Sequence, residues 1–291
     1  MNAVPKISCL MITLDRIQQV RESIACFCSQ NYPNKELLII TDGTAEFRQS
    51  IQHDIQSRNR DDIRLHGVSD TGRTLGYLRN VSLELAHGPV ICQWDDDDIS
   101  HPHRLSIQFE YMRSNGARAC FLTEQLQFFT ATREIYWNDW RIGARSQGRA
   151  SCIPGTLMML KDANVRYPET GEIACHGEDS AILSAIYGNI PVAQLSEHGY
   201  LHIYTYHGRN TFDEDHHRML LRGSISKDVL RQRRQVLTAE LNRFNVPLPL
   251  WVCTPDERLF QIFPWDETKT ASPTPGPIVQ PIDTVPARGH E

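Results

Sequence analysis

Val90-Ile91-Cys92-Gln93-Trp94-Asp95-Asp96-Asp97-Asp98 is an apolar run that ends abruptly in four carboxylates. Four like charges side by side repel one another and favour the surface or disorder. An apolar run of this length reads as a buried strand. In an open α/β sheet, the carboxyl end of such a strand is where ligands bind. A divalent cation makes the crowding tolerable, because Mg²⁺ and Mn²⁺ prefer hard oxygen ligands, often one or two carboxylates plus substrate phosphates. In an extended chain the side chains of Asp95 and Asp97 leave on the same face. The plain alternative is a solvated acidic turn in which Asp98 or Ser100 caps a helix starting near Pro102.

Working outward from this stretch, apolar strands alternate with helical spacing. Strands are expected at 7–13, 36–41, 63–67 and 90–94. Helices are expected from Ile17 to the stop at Asn31-Tyr32-Pro33, at 45–57, and at 74–86 with His87-Gly88-Pro89 as the stop. This βαβαβαβ order predicts a mostly parallel, Rossmann-like α/β sheet flanked by helices. Beyond Asp98 the pattern becomes α+β. It predicts a helix at 102–112, strands at 119–130, 134–137 and 153–160, a helix at 178–187, and strands at 191–195 and 200–206. A single helix is expected at 224–244. The organisation that follows is a nucleotide-binding half over 1–115, an acceptor-binding half over 116–222, a C-terminal helix over 223–245, and a Pro-rich, poorly ordered tail over 246–291.

Composition narrows the function. With 291 residues and 40% hydrophobic content a sizeable core is affordable. A net charge of −5 argues against a nucleic-acid binder, which needs a basic surface. The eight cysteines form no CxxC and mostly sit in apolar runs, so they read as buried thiols of a reducing compartment rather than zinc ligands or a disulfide framework. No run approaches the roughly 20 apolar residues of a membrane span, and residues 1–6 lack the pattern of a secretory signal. A cytoplasmic protein is expected. Peripheral membrane association through Arg231, Arg233 and Arg234 is a weaker option than a solvated helix face. His216 and His217 are read as helix surface.

Several residues carry candidate chemistry, each beside a plainer reading. Asp42, at the end of the second strand, can accept from a base N–H or a ribose hydroxyl, or simply shape an Asp-Gly turn. Arg79, on the helix before the acidic strand, can fork onto a phosphate or pair with the acids, or be an exposed helix arginine. Glu178 and Asp179 open a helix, where acids are favoured by the dipole. They point in different directions, so Asp179 can act as general base while Glu178 orients the acceptor. His207 can complete a metal shell or touch a phosphate.

Taken together and in this order, the motifs resemble the inverting glycosyltransferases of family 2, which have the GT-A fold. Thr13-Leu14-Asp15-Arg16 looks like the family's first-strand loop, and Thr41-Asp42-Gly43-Thr44 like its Asp-Asp-Gly-Ser turn. Leu75-Gly76 through Arg79-Asn80 looks like its Gly…Arg-Asn helix, and residues 95–98 like its DxD segment. Glu178-Asp179 resembles its Glu-Asp motif, and His207-Gly208-Arg209-Asn210-Thr211 a motif after the last core strand. Thr41 and Asp15 depart from the usual acid and Asn. The resemblance implies a nucleotide-sugar donor, UDP-linked on the strength of Asp42, held by Thr13, Asp15, Arg16, Asp42, Arg79, Asp95 and Asp96. It implies Mn²⁺ or Mg²⁺ on Asp95, Asp97 and His207, and Asp179 as the base. The acceptor could be a glycan, a lipid-linked glycan or a peptide, with the aromatic stretch 121–140 and the loop 141–150 shaping its pocket. Two other classes stay open: a sugar-1-phosphate nucleotidyltransferase, disfavoured by the lack of Gly over residues 11–16, and a non-catalytic nucleotide-sugar-binding protein.

Overall fold

The computed structural model describes residues 4–69, 72–142 and 151–265. The first half follows the expected alternation: β1 (Ile7–Ile12), α1 (Ile17–Ser29), β2 (Lys35–Thr41), α2 (Ala45–Ser57), β3 (Ile63–Gly67), α3 (Leu75–Leu85) and β4 (Val90–Gln93). Thr44 and Thr74 cap α2 and α3 by accepting from the backbone N–H three residues on, which fixes where each helix begins. Then come β5 (Ile99–Ser100), α4 (Arg104–Ser114), β6 (Ala119–Leu122), β7 (Glu124–Phe129), β8 (Glu134–Asp139), β9 (Met158–Leu160), α5 (Glu178–Ile186), β10 (Val192–Leu195) and β11 (His202–Tyr206). The chain closes with α6 (Glu214–Leu220), α7 (Lys227–Gln232), α8 (Arg234–Leu241), β12 (Leu250–Cys253) and β13 (Arg258–Ile262).

Seven strands form the main sheet in the order β10-β6-β9-β4-β1-β2-β3. β1 to β4 are mutually parallel, so their carboxyl ends share one edge, and β9 alone runs antiparallel to its neighbours β4 and β6. Both faces are covered. Cys9 and Met11 meet Val20, Ile24 and Phe27 of α1 on one side, while Leu10 meets Leu78 and Leu83 of α3 on the other. Strands buried on both faces read as continuous apolar runs, which is what the sequence shows.

A second, six-stranded sheet has the order β13-β12-β8-β7-β11-β5. It revises several expectations. Residues 119–130 are not one strand: the chain changes sheets at Thr123, whose N–H donates to Leu195 of the first sheet while its carbonyl accepts from Trp140, just after β8 of the second. Residues 154–156 form a short 3-10 turn before β9 rather than a continuous strand. The helix expected over 224–244 forms as two shorter helices, α7 and α8, that meet at Arg233, which keeps right-handed helical angles while its side chain donates to Glu124 and lies over the face of Trp137. The segment expected to be unstructured from 246 contains β12, parallel to β8, and β13. The aromatic stretch is mainly core: Phe121, Phe128, Phe129 and Trp137 are fully buried. Residues 143–150 and 270–291, expected as acceptor loop and tail, lie outside the described residues. Of the cysteines, Cys175 is exposed and none is bridged among the described residues.

α3 fits against the loop before α5 only because Gly76 has no side chain: a Cβ there would lie 1.8 Å from the Pro168 carbonyl oxygen. Gly76→Ala is therefore expected to lower stability by about 3 kcal/mol, read from the denaturant midpoint. An unchanged midpoint would show that the helix can move away freely.

Candidate functional site

The acidic run leaves β4 at the shared edge of the parallel strands and alternates. Asp95 and Asp97 keep 27% and 15% of their side-chain surface exposed, whereas Asp96 and Asp98 keep 1% and 5%. Asp96 turns inward, where its oxygens accept from the Thr13 hydroxyl at 2.6 Å and from Arg16 Nη2 at 2.6 Å. Asp98 turns towards the second sheet and accepts from the Thr205 backbone N–H at 3.0 Å. Thr13, Arg16 and Asp96 are thus joined as a buried clasp between the loop after β1 and the acidic run. Asp15, in a left-handed conformation, accepts from the Thr44 backbone N–H and so ties that loop to α2. Asp42 accepts from the backbone N–H groups of Gly72 and Arg73.

Asp97 accepts from Arg16 Nη1 at 2.8 Å. His207 Nε2 stands 3.5 Å from Asp97 Oδ2, beyond a well-formed hydrogen bond, and is buried without a closer partner. Burial pushes the Asp97 carboxyl up, but His207 and Arg16 outweigh it and hold the group below the ordinary range.

Arg79 bridges the two acidic motifs. Its Nε donates to Glu178 Oε1 at 2.7 Å and its Nη2 lies 3.3 Å from Asp95 Oδ1. Burial disfavours the cation, yet Asp95 and Glu178 raise its pKa well above the usual value, so it stays charged. Gly177 turns the chain at φ +100° to start α5, sending Glu178 inward and leaving Asp179 partly exposed. Among the described residues, Asp179 accepts from its neighbour, the Ser180 N–H, at 2.7 Å. Burial, then Glu178, push its pKa up to about 6 against the pull of Arg79.

These groups converge. Arg79, Asp95, Asp97 and Asp179 line one cavity of about 160 Å³, with Tyr204 and Phe212 in its wall. A larger cavity, about 360 Å³, lies on the other side of residues 96–98 and is bordered by α1, His207 and residues 244–247. Among the described residues no three His, Cys, Asp or Glu side chains are already grouped about one metal position. A carboxylate pair facing a cavity, beside an acid of raised pKa, makes this cleft the candidate functional site.

The family model described as "Glycosyl transferase family 2" matches residues 8–164, just over half of the chain. The chain belongs to glycosyl transferase family 2. It is 30% identical over 166 residues to "Putative glycosyltransferase EpsE" of Bacillus subtilis, a match covering 56% of this chain and 59% of that protein. It is 31% identical over 142 residues to "Glucosyl-dolichyl phosphate glucuronosyltransferase" of Haloferax volcanii, covering 45% of this chain and 44% of that one. The chain thus spans about half the length of these relatives. Among solved structures, that of S. aureus TarS 1–349 in complex with UDP-GlcNAc superimposes with a TM-score of 0.56 at 17% identity, over 82% of this chain and 72% of that one. The mannosyltransferase PcManGT of Pyrobaculum calidifontis, in complex with GDP-Man and Mn²⁺, gives 0.53 at 11% identity, over 84% and 66%. At such identities the likeness establishes the GT-A fold alone.

Within this family 2 chain, sequence reading missed Tyr204 and Phe212, which belong to no motif. It also misplaced His217. Far from the surface, His217 is fully buried, with Nδ1 3.1 Å from Gln127 Nε2. Arg233 is half-buried against Trp137 rather than simply solvated. No described helix is long and apolar enough to cross a membrane.

The buried Arg79–Glu178 pair generates a stability prediction. Arg79→Met strands Glu178 without its cation and should cost about 3–5 kcal/mol. Adding Glu178→Leu should return much of that loss. A four-variant cycle in urea is expected to give a coupling above about 1 kcal/mol; strict additivity would mean that the two side chains do not hold one another in solution.

Proposed function

We propose that this chain is an inverting glycosyltransferase that moves a sugar from a nucleotide-diphospho-sugar, of the UDP class, to an acceptor hydroxyl. The observation that carries the reading is the single cavity shared by Asp95, Asp97 and Asp179, with Arg79 between them. Inversion needs a base on the face of the sugar opposite the leaving group, and these acids sit on two different elements, the end of β4 and the start of α5. Asp179 has the right chemistry for that base. It is ionised above about pH 6, yet basic enough to accept a proton as the acceptor oxygen attacks the anomeric carbon. Glu178 is committed to Arg79, so its part is to hold the guanidinium and, through it, Asp95. Arg79 in turn is placed to meet the charge that develops on the departing diphosphate.

Mn²⁺ or Mg²⁺ fits the donor set. Asp95 and Asp97 offer hard oxygens to the cavity, while His207, whose Nδ1 accepts from the Arg209 N–H, turns Nε2 towards Asp97 and would position that carboxylate. When bound, the cation would neutralise the diphosphate as it leaves, with phosphate and water oxygens completing its shell. Asp42 and the clasp of Thr13, Arg16 and Asp96 border the ends of β1 and β2, where the nucleotide would lie. The acceptor class is a glycan, a lipid-linked glycan or a peptide, and the setting is cytoplasmic synthesis of a polysaccharide.

Asp179→Asn should lower transfer by about 10²–10⁴-fold while nucleotide still binds with metal, measured by nucleoside diphosphate release and by calorimetry; ordinary turnover in that variant removes Asp179 from the role. Asp97→Ala should instead weaken Mn²⁺-dependent nucleotide binding, and an unchanged isotherm would take Asp97 out of the metal site. The acid form of Asp179 cannot accept a proton, so transfer should fall about tenfold per pH unit below about 6 and level off above it. A rate flat between pH 5 and 7 would contradict this.

A further inference from the structure

We infer that Gln93 is a positioning residue: its amide oxygen satisfies Arg79 and so keeps the Asp95 carboxylate free for a divalent cation. This rests on the glycosyl-transfer reading above and deepens its cation site. A guanidinium carries five N–H donors in a rigid fork that matches a carboxylate bidentately. Arg79 is buried, with 9% of its side chain exposed, and Asp95 is its neighbour. Left to themselves the two would close into a bidentate pair, and Asp95 would be neutralised by Arg79 rather than by a cation. They do not: Nη2 stands 3.3 Å from Asp95 Oδ1, a single long contact.

Gln93 accounts for the difference. It is the last residue of β4, two before Asp95, so both side chains leave the extended chain on the same face and meet Arg79 of α3 together. Its backbone is held on both sides: the N–H donates to the Leu157 carbonyl at 2.8 Å, and the carbonyl accepts from Arg104 Nη2 at 3.1 Å. With donors set against acceptors, the amide oxygen lies 3.2 Å from Arg79 Nη1 and 3.0 Å from Nη2. It thus meets both terminal nitrogens, while Nε is taken by Glu178. The other oxygen of Asp95, Oδ2, lies beside Gly155, where a Cβ would stand 3.2 Å away, so no side chain fills that approach.

The amide is itself oriented. Its nitrogen turns to the Tyr167 hydroxyl, 3.4 Å away, and the Arg79 guanidinium lies over the Tyr167 ring, 5.7 Å from the centroid. Tyr167 is clasped in turn by Asn80, the residue after Arg79. Asn80 Oδ1 accepts from the Tyr167 N–H and Nδ2 donates to the Tyr167 carbonyl, each at 2.9 Å. One turn of α3 therefore carries both the cation and the residue that fixes the ring beside it. A neutral acceptor also satisfies N–H groups without cancelling the positive charge that Arg79 presents to the cavity.

The test is a calorimetric titration of Mn²⁺ into the full chain, with and without UDP. Gln93→Leu should weaken Mn²⁺ binding about tenfold, because the orphaned N–H groups turn to Asp95. Gln93→Glu, which keeps an acceptor of the same length, should bind Mn²⁺ at least as well as the unaltered chain. Should circular dichroism show Gln93→Leu unfolded, Gln93→Met carries the same expectation. In the Arg79→Met, Glu178→Leu background no guanidinium is left to divert, so adding Gln93→Leu should change Mn²⁺ affinity less than about twofold. An amide that served packing alone would cost stability on removal and leave the affinity as it was. Unchanged Mn²⁺ affinity in Gln93→Leu, or an equal loss with and without Arg79, would overturn the inference alone. An unaltered chain that takes no Mn²⁺ in either titration would remove the proposed cation and this inference with it.

Discussion

Four adjacent carboxylates crowd the end of a buried strand, and in this chain each meets a polar partner from a neighbouring element, although burial still pushes the carboxyls of Asp95, Asp96 and Asp98 up. Asp95 faces Arg79 from α3. Asp96 takes Thr13 and Arg16 from the loop after β1. Asp97 shares Arg16 and faces His207, which follows β11. Asp98 accepts from the backbone of β11 itself. An uncompensated carboxylate in such a place would cost several kcal/mol. The acidic run is therefore a junction: elements of the first sheet supply the partners of its beginning, and the second sheet those of its end. The geometry of the cavity follows from that division.

The compensation is incomplete by design of the same residues. Asp95 keeps only a long contact with Arg79, His207 Nε2 has no partner closer than Asp97, and burial, then Glu178, push the Asp179 pKa up to about 6. A buried ion pair is weak evidence for stability, since apolar replacements often serve as well. What Arg79 and Glu178 do supply is position: two acids from strand and helix, separated by a guanidinium, that open onto one cavity. Perturbed groups gathered in a cleft are the mark of chemistry rather than of packing.

The sequence made the first half legible because local and tertiary signals agree there. Apolar runs buried on both faces, threonine caps at Thr44 and Thr74, and a stop at His87-Gly88-Pro89 all give the boundaries that the chain adopts. The second half was harder for identifiable reasons. Residues 119–129 are β-prone throughout, and only tertiary pairing at Thr123 divides them between two sheets. The helix over 224–244 has continuous apolar periodicity, which carries no signal for its division into α7 and α8 at Arg233, where the side chain donates to the buried Glu124. His217 looked like surface because its partners, Tyr204, Tyr206 and Gln127, are brought to it by long-range strand pairing. The acidic motifs could be read one by one, but the roles of Asp96 and Asp98 as inward anchors depend on a backbone twist that alternation only suggested.

The family match ends at residue 164, before Asp179, Tyr204 and Phe212. The matched part contains the clasp after β1, Asp42, Arg79 and the acidic run, all grouped at the edge of the parallel strands. The part beyond it contributes α5, β11 and α6, and with them the acid of raised pKa and the aromatic wall. In the proposed reaction a nucleotide diphosphate with a cation would constrain the first set through charge and hydrogen-bond geometry, and the second set would meet whatever receives the sugar. Because the end of the acidic run is itself anchored on β11 through Asp98, changes in the second sheet can remodel the aromatic wall only so far as they leave Asp97 and His207 in place. The candidate site thus straddles the seam between the two sheets, with residues 95–98 anchored on both sides.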